Sequence, residues 1–231
     1  MHIANPIYDV VFKFMMEDNR VAKAFLSAII QEKVTELDFD TTESTVRIPS
    51  KTEKETETEK KPEGSGLNLT VCRFDFSARI ALPGGRYKTV VIELQKAKLL
   101  SDIMRFRRYL GLHYQNPNNS YGEGNDRKAR QIYCIFLLGY EIGIPGTPVI
   151  RVNSSVEDVA TDKPVQGSNE FIRSLHHRSW VVQIEQLKDH RRTDLEKLLS
   201  IFDQENRTKN HHILNVDEDS FPEEYRSVIR R

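Results

Sequence analysis

The sequence predicts an α/β domain, and three observations carry that prediction. Apolar residues recur at helical spacing near both ends of the chain. Two β-rich runs flank Pro83-Gly84-Gly85 and indicate a hairpin. The stretch IYCIFLLGYEIG, residues 132–143, is almost continuously apolar, which is typical of a central strand buried on both faces. A length of 231 residues fits one large domain, or one domain with a small helical appendage.

Two helices are predicted at the start of the chain. Asn5 and Pro6 have the residue types of an N-cap and a first helical position. The apolar stripe of this helix is expected to be Ile7, Val10, Val11 and Phe14. A second helix from about Asn19 to Gln31 has the stripe Val21, Ala24, Phe25, Ala28 and Ile29. Residues 34–48 are predicted to be extended.

The segment 49–66 interrupts this pattern. It contains four lysines and five glutamates and no large apolar residue, so it has no face that could be buried. We predict a mobile charged surface loop. A role as a charged recognition segment is the less favoured alternative.

The second half of the chain alternates between helical and extended patterns. A helix over 98–115 is predicted to bury Leu99, Ile103, Phe106, Leu110 and Tyr114, and 116–125 is predicted to be a loop. Further strands are expected at PVIRV (148–152) and SWVVQIEQL (179–187). Thr193 and Glu196 form a capping-box pattern before a helix that carries Leu195, Leu198, Leu199 and Phe202.

The last segment, 191–231, is predicted to be a helical extension of a domain spanning 1–190. Its final helix is expected to begin around Pro222 and to present Tyr225, Val228 and Ile229. Those three residues are expected either to pack on the helix at 193–206 or to remain exposed. Because this helix is barely two turns long and no Gly or Asn caps it, we expect the given sequence to end inside a helix.

Composition limits the classes of function. The 34 basic residues balance the 34 acidic ones, which argues against a purely electrostatic nucleic-acid binder. A local exception is the basic stretch 96–108, with Lys96, Lys98, Arg105, Arg107 and Arg108 against Asp102. No apolar run approaches the roughly 18 residues of a membrane span, and the first residues lack a secretory pattern. We therefore expect no membrane partner. Cys72 and Cys134 lie in apolar runs, so we predict buried reduced thiols and a cytoplasmic location.

The hairpin register gives the most specific prediction. If the loop is residues 83–85, Asp75 lies directly opposite Glu93, and both side chains project to the same face. That polar face comprises Arg73, Asp75, Ser77, Arg79, Thr89, Glu93 and Gln95. The opposite face comprises Phe74, Phe76, Ala78, Ile80, Val90, Ile92 and Leu94 and is predicted to be the core.

Two directly opposed carboxylates destabilise a sheet unless something neutralises them. A hard cation such as Mg²⁺ or Mn²⁺ is the usual agent. Pairing of the two acids with Arg73 and Arg79 on a solvated face is the alternative. A two-residue turn at Gly84-Gly85 would shift the register and place Asp75 opposite Leu94.

Asp75, the seventeen residues after it and then Glu93-Leu94-Gln95 resemble the metal-binding core of the PD-(D/E)XK nuclease superfamily. The chain more closely resembles the branch of PD-(D/E)XK nuclease family transposases, which are related to recombination-promoting nucleases. The matching stretches follow one another in order as NPIYDVVFKFM, RFDFSARI, VIELQKAK and IMRFRRYLG. The resemblance covers roughly residues 5–115 and, more loosely, the strand at 131–142.

This resemblance implies a restriction-endonuclease-like αβββαβ core, a mixed sheet flanked by helices. It implies that Asp75 and Glu93 bind Mg²⁺ or Mn²⁺, assisted by the carbonyl of Leu94. Gln95 stands where many relatives have a catalytic lysine, although glutamine is usual in this branch. Gln95 cannot hold a positive charge, and Lys98, at the start of the next helix, is expected to substitute. Asp9 matches the acid of the family's N-terminal motif, and an ordinary exposed helix acid is the alternative.

The expected function is therefore metal-dependent endonucleolytic cleavage of DNA, associated with DNA mobility or recombination. The metal would polarise the scissile phosphate and activate a water molecule. Arg105 and Arg108 are expected to contact phosphates, with ordinary solvated charges as the alternative. Two other functions stay open, a non-catalytic DNA-binding or assembly protein on a decayed nuclease fold, and cleavage of RNA. The expected partner is DNA, and a homodimer is a further option. The histidine pairs 176–177 and 211–212 lack zinc-ligand spacing, and zinc is not expected.

Overall fold

A six-stranded mixed sheet with helices on both faces forms the centre of the computed structural model, so the predicted α/β class is confirmed. The structure describes residues 1–39, 73–97, 102–167, 169–188 and 190–230, and the side chains of Arg73, Phe74 and Glu93 are outside this description. The predicted loop 49–66, Cys72 and Lys98 also lie outside the described residues. Within the described ranges, no helix is both long and apolar enough to cross a membrane.

The helices are α1 (Asp9–Glu17), α2 (Asn19–Ile30), α3 (Ile103–Gln115), α4 (Glu170–Ser174), α5 (Asp194–Leu199) and α6 (Arg226–Ile229). The strands are β1 (His2–Ala4), β2 (Val34–Phe39), β3 (Arg73–Ala81), β4 (Tyr87–Ala97), β5 (Ser120–Tyr121), β6 (Lys128–Ala129), β7 (Gln131–Leu138), β8 (Val149–Val152), β9 (Glu157–Asp158), β10 (Lys163–Pro164), β11 (Arg178–Gln183) and β12 (Ile213–Asn215). The central sheet has the order β2-β3-β4-β7-β11-β8. The β4–β7 and β7–β11 pairs are parallel, and the other pairs are antiparallel.

The β3–β4 hairpin has the predicted three-residue loop. The backbone N–H of Leu82 donates to the carbonyl of Arg86 at 2.7 Å and closes the loop. Gly84 and Gly85 have φ angles of 77° and 71°, which residues with a Cβ rarely adopt. This loop sets the register, in which Asp75 pairs with Glu93. The alternative with a two-residue turn is therefore wrong.

The two faces of the sheet carry different layers. Phe76, Ala78, Ile80, Val90, Ile92 and Leu94 are all buried, as predicted, in a main core shared with α1, α2, α5 and α6. The other face is not simply solvated, because α3 packs on it. There Phe106 contacts a second, smaller cluster that includes Ala97 and Leu138. The polar face of the hairpin is thus partly covered.

The predicted stripe of the first helix is wrong at Val10 and Phe14, whereas Ile7 is buried as predicted, although it precedes the helix. Helix α1 begins at Asp9 because residues 6–8 form a turn, in which Asn5 Oδ1 accepts a hydrogen bond from the Ile7 N–H at 3.1 Å. The helix consequently buries Phe12, Met15 and Met16. Val10 is 82% exposed and Phe14 is 49% exposed.

The predicted second helix is confirmed. Asp18 caps α2 by accepting hydrogen bonds from the N–H groups of Arg20 and Val21 at 3.0 and 3.2 Å. Four predicted stripe residues are buried: Val21, Phe25, Ala28 and Ile29. Gln31 ends the helix in the left-handed conformation with φ 57°.

The predicted stripe of α3 is correct at Phe106 and wrong at two positions. Ile103 and Tyr114 are each about half exposed, at 46%, and His113 is buried instead. Leu99 lies outside the described residues. The predicted loop 116–125 contains β5, which pairs with β6 in a short hairpin. The strand predicted at 148–152 is confirmed as β8, and β7 is the buried central strand. The strand predicted at 179–187 is confirmed as β11 only up to Gln183, because residues 184–187 form a 3-10 turn.

The C-terminal segment belongs to the main core. Glu196 donates its N–H to Thr193 Oγ1 at 3.2 Å, which confirms the predicted cap of α5. Val228 and Ile229 of α6 are buried in the main core, and α6 contacts α2. Strand β12 pairs with β1, so the segment is more than a helical extension.

A partly buried ionic cluster lies at the end of α2. The Glu32 carboxylate is 2.5 Å from both Lys88 Nζ and Arg178 Nη1. The hydroxyl of buried Tyr133 accepts hydrogen bonds from the same two cations at 2.7 and 2.8 Å. Burial alone would raise the pKa of Glu32, but hydrogen bonds and charges of Lys88 and Arg178 outweigh burial and hold that pKa below its ordinary value of 4.5.

A group with a depressed folded-state pKa stabilises the protein above its unfolded pKa, and the effect is lost as the pH falls through the folded pKa. We therefore expect Glu32→Gln to lower the free energy of unfolding by about 2 kcal/mol at neutral pH. The difference from wild type should shrink as the pH falls below 4.5. Urea unfolding over this pH range measures it, with the exposed Glu185→Gln as a control. A difference that is independent of pH would contradict the assignment.

Candidate functional site

The candidate site lies on the α3 face of the β3–β4 hairpin. Asp75 and Glu93 are directly paired across the two strands, and such pairs have Cβ atoms about 5 Å apart. Asp75 is only 8% exposed and Gln95 is 1% exposed. Since Gln95 lies two residues after Glu93 on β4, its side chain projects to the same face. The structure thus brings three of the predicted site residues onto one face.

His113 was missed by the sequence analysis. Its Nε2 lies 3.3 Å from Asp75 Oδ1, and both side chains are buried. Helix α3 places His113 here because Phe106, two turns earlier, packs against the sheet on the same side of the helix. The seven-residue spacing between Phe106 and His113 indicates that both lie on the same side of the helix. The predicted stripe omitted His113 because it included only hydrophobic residues.

Asn119 lies behind His113. Its amide nitrogen donates to the carbonyl of His113 at 3.0 Å and is 3.2 Å from His113 Nδ1. Rotating the amide by 180° would place its oxygen against that carbonyl oxygen, which is repulsive, so the nitrogen faces His113. His113 Nδ1 is then an acceptor, and the ring proton lies on Nε2, facing Asp75.

Arg79 is one of the two arginines that the alternative interpretation pairs with Asp75 and Glu93, and it forms its ion pair with a different acid. Arg79 Nη1 is 2.8 Å from Glu36 Oε1 on the neighbouring strand β2. Further along the same face, Arg130 donates to Ser77 Oγ at 3.2 Å.

Asp9 lies on the opposite side of the sheet from Asp75. Its Oδ1 is 2.9 Å from Lys96 Nζ, which also donates to the carbonyl of Ile7 at 2.6 Å. Lys96 is fully buried and projects to the main-core face of β4, as the alternation of a strand requires. The structure therefore joins Asp9 to Lys96 and not to the two opposed acids.

The two predicted phosphate-binding arginines have different environments on α3. Arg105 Nη2 is 3.6 Å from Asp102 Oδ1, and its side chain is partly covered. Arg108 is exposed. Of the pair, Arg108 is the better placed to contact a ligand in solution.

A tyrosine–histidine pair borders the site near β7. Tyr114 Oη is 3.3 Å from His177 Nδ1, and Cys134 is the β7 residue aligned with Glu93. Burial raises the pKa of Tyr114, and Cys134 adds to this rise. Burial lowers the pKa of His177, with a further contribution from His176. A lowered pKa favours the uncharged form of His177 at neutral pH.

The donor atoms of the site suit a hard cation. Among the described side chains, no group of three His, Cys, Asp or Glu residues forms a metal cluster. The face instead combines the Asp75 carboxylate, the strand position of Glu93 and the amide oxygen of Gln95. Oxygen donors of this kind are those that Mg²⁺ and Mn²⁺ prefer. Comparisons of the chain with models of protein families, with curated proteins and with solved structures gave no match.

Proposed function

We propose that the chain is a metal-dependent endonuclease of the PD-(D/E)XK type that hydrolyses DNA phosphodiester bonds. One observation carries the proposal: Asp75 and Glu93 are directly opposed on adjacent strands, on a face partly covered by α3. Directly opposed like charges destabilise a sheet pair, and a divalent cation held between them would neutralise them.

The order of elements supports the same proposal. From α2 the chain runs through β2, β3 and β4, which are successively antiparallel, then α3 and the parallel strand β7. Apart from the short β5–β6 hairpin between α3 and β7, this order is compatible with the αβββαβ core that the family resemblance implies. The proposal also includes association with DNA mobility or recombination, which rests on the resemblance alone.

In the proposed site, Asp75 and Glu93 would hold Mg²⁺ or Mn²⁺ together with the Leu94 carbonyl. When bound, such an ion polarises a phosphate and lowers the pKa of a bound water molecule. Gln95 can donate a hydrogen bond through its amide and cannot supply the positive charge of a lysine. Arg108 would contact the phosphate backbone, and DNA is the proposed partner.

A second candidate is a non-catalytic DNA-binding protein on the same fold. The burial of Gln95, at 1% exposure, favours it, because substrate must reach the catalytic groups of an active nuclease. Calorimetric titration separates the two candidates. An active site should bind Mg²⁺ or Mn²⁺, and a decayed one should not.

The direct test of the proposal is nicking of supercoiled plasmid DNA. We expect conversion to the open-circular form with Mg²⁺ or Mn²⁺ and none with EDTA. An equal amount of structured RNA tested in parallel distinguishes DNA cleavage from RNA cleavage. Absence of cleavage by a folded, metal-binding protein on either nucleic acid would contradict the proposed activity.

A further inference from the structure

His113 is a buried residue that the family resemblance does not assign, and the role given to it below rests on the proposed metal site at Asp75. His113 and Asp75 are each only 8% exposed, and Nε2 lies 3.3 Å from Oδ1. In such a buried place, the direction of a hydrogen bond between them matters, because water competes little for either group.

The proton position follows from Asn119. The Asn119 amide nitrogen faces both the carbonyl and Nδ1 of His113, at 3.0 and 3.2 Å. A nitrogen that accepts there carries no proton, so a neutral imidazole must carry its proton on Nε2. His113 therefore donates to Asp75, and its Nε2 lone pair is not available to a metal.

The segment after α3 holds Asn119 in place. The Asn119 N–H donates to the Asn116 carbonyl at 3.0 Å, and the Asn119 carbonyl accepts from the Arg130 N–H at 2.9 Å. Arg130 in turn donates to Ser77 Oγ on β3, at 3.2 Å. The turn and the β5–β6 hairpin thus form a brace that begins and ends on the strand carrying Asp75.

We infer that His113 is a positioning residue that fixes the Asp75 carboxylate for the divalent cation. The Nε2–H bond to Oδ1 sets the rotation of the carboxylate plane, and Asn119 sets the tautomer that makes this bond. Partners that orient ligating carboxylates typically change metal affinity by about 10- to 100-fold when removed. His113 does not touch substrate and is not assigned a catalytic role.

The first measurement is made on metal-free wild-type protein labelled with ¹⁵N. Long-range ¹H–¹⁵N spectra of the histidine rings report which nitrogen carries the proton. We expect the neutral Nε2–H pattern for His113, unchanged on addition of Mg²⁺. An Nδ1–H tautomer in the metal-free protein would overturn the inference. Loss of the Nε2 proton on Mg²⁺ addition would also overturn it and would indicate that His113 is a metal ligand.

The second measurement is Mn²⁺ affinity by calorimetry. His113→Leu removes the donor and should weaken binding by about 10- to 100-fold. His113→Gln has an amide nitrogen at the same number of bonds from Cα as Nε2, so it should restore affinity to within a few-fold of wild type. A purely structural role would not show this rescue. Thermal unfolding verifies that each variant is folded. If His113→Leu is not folded, the Mn²⁺ affinity of His113→Gln and the tautomer of His113 in wild type test the inference.

The outcomes separate this inference from the proposed function. Mn²⁺ binding that is equal in wild type and folded His113→Leu overturns only the role of His113. Wild-type protein whose Mn²⁺ affinity is unaffected by Asp75→Asn overturns the proposed metal site, and the role of His113 fails with it. In that case the tautomer still reports whether the bond to Asp75 exists.

Discussion

Replacing Asp75 by asparagine is expected to reduce metal-dependent nicking of supercoiled DNA by about 100-fold or more. A bound cation contributes several kcal/mol of charge stabilisation in the transition state, and about 2.7 kcal/mol corresponds to a factor of 100. Asparagine keeps the size of the side chain and removes its charge. The measurement is the initial rate of open-circle formation at saturating Mg²⁺.

The matched control is Glu185→Gln, which neutralises an exposed acid in the turn after β11. This variant should cut at the wild-type rate. A cation that binds only the folded state also raises the melting temperature. Mg²⁺ should therefore stabilise wild type and Glu185→Gln against heat but not Asp75→Asn. Equal nicking by Asp75→Asn and wild type would exclude Asp75 from the site.

Replacing Asp9 by alanine is expected to lower the free energy of unfolding by about 3 kcal/mol. The reason is the fully buried Lys96, whose ammonium would lose its ion pair with Asp9. The estimate lies at the low end for a buried pair because the Asp9 side chain is 21% exposed. Urea unfolding at neutral pH measures the loss.

The double variant Asp9→Ala with Lys96→Met separates a structural role from a catalytic one. Methionine removes the buried charge and keeps an unbranched apolar chain, so the double variant should recover most of the lost stability. Nicking activity should recover with it, because Asp9 and Asp75 lie on opposite sides of the sheet. If the double variant recovers stability but not nicking activity, Asp9 has a role in catalysis, as the family resemblance implies.

The hairpin could be predicted in detail because local chemistry determines it. Pro83, Gly84 and Gly85 select the loop, and the alternation of residue types along both strands then has one consistent register. The opposition of Asp75 and Glu93 follows from that register. No tertiary information is needed for this part of the candidate site.

The buried faces of α1 and α3 were less predictable, because contacts with neighbouring layers of the fold determine which residues of each helix are buried. Lys96 enters the main core, where its ammonium lies 5.2 Å from the centre of the Phe12 ring. This contact and the turn before α1 direct Phe12 inward and leave Val10 exposed. On α3, buried His113 takes a place that an apolar pattern would assign to a hydrophobic residue. Asn119 depends on a contact across the end of α3, and spacing in the sequence does not indicate it.

The pairing of β1 with β12 constrains the order in which the chain can fold. His2 aligns with Asn215, and the N-terminal amine of Met1 donates to the Val216 carbonyl at 2.6 Å. During synthesis, the first strand has no partner until residues 213–215 have left the ribosome. The β3–β4 hairpin forms from neighbouring residues, so the opposed acids can meet while the two ends of the chain are still apart. The pairing of β1 with β12 joins residues about 215 positions apart, so it has a large loop-closure cost, and it can follow the pairing of β3 with β4.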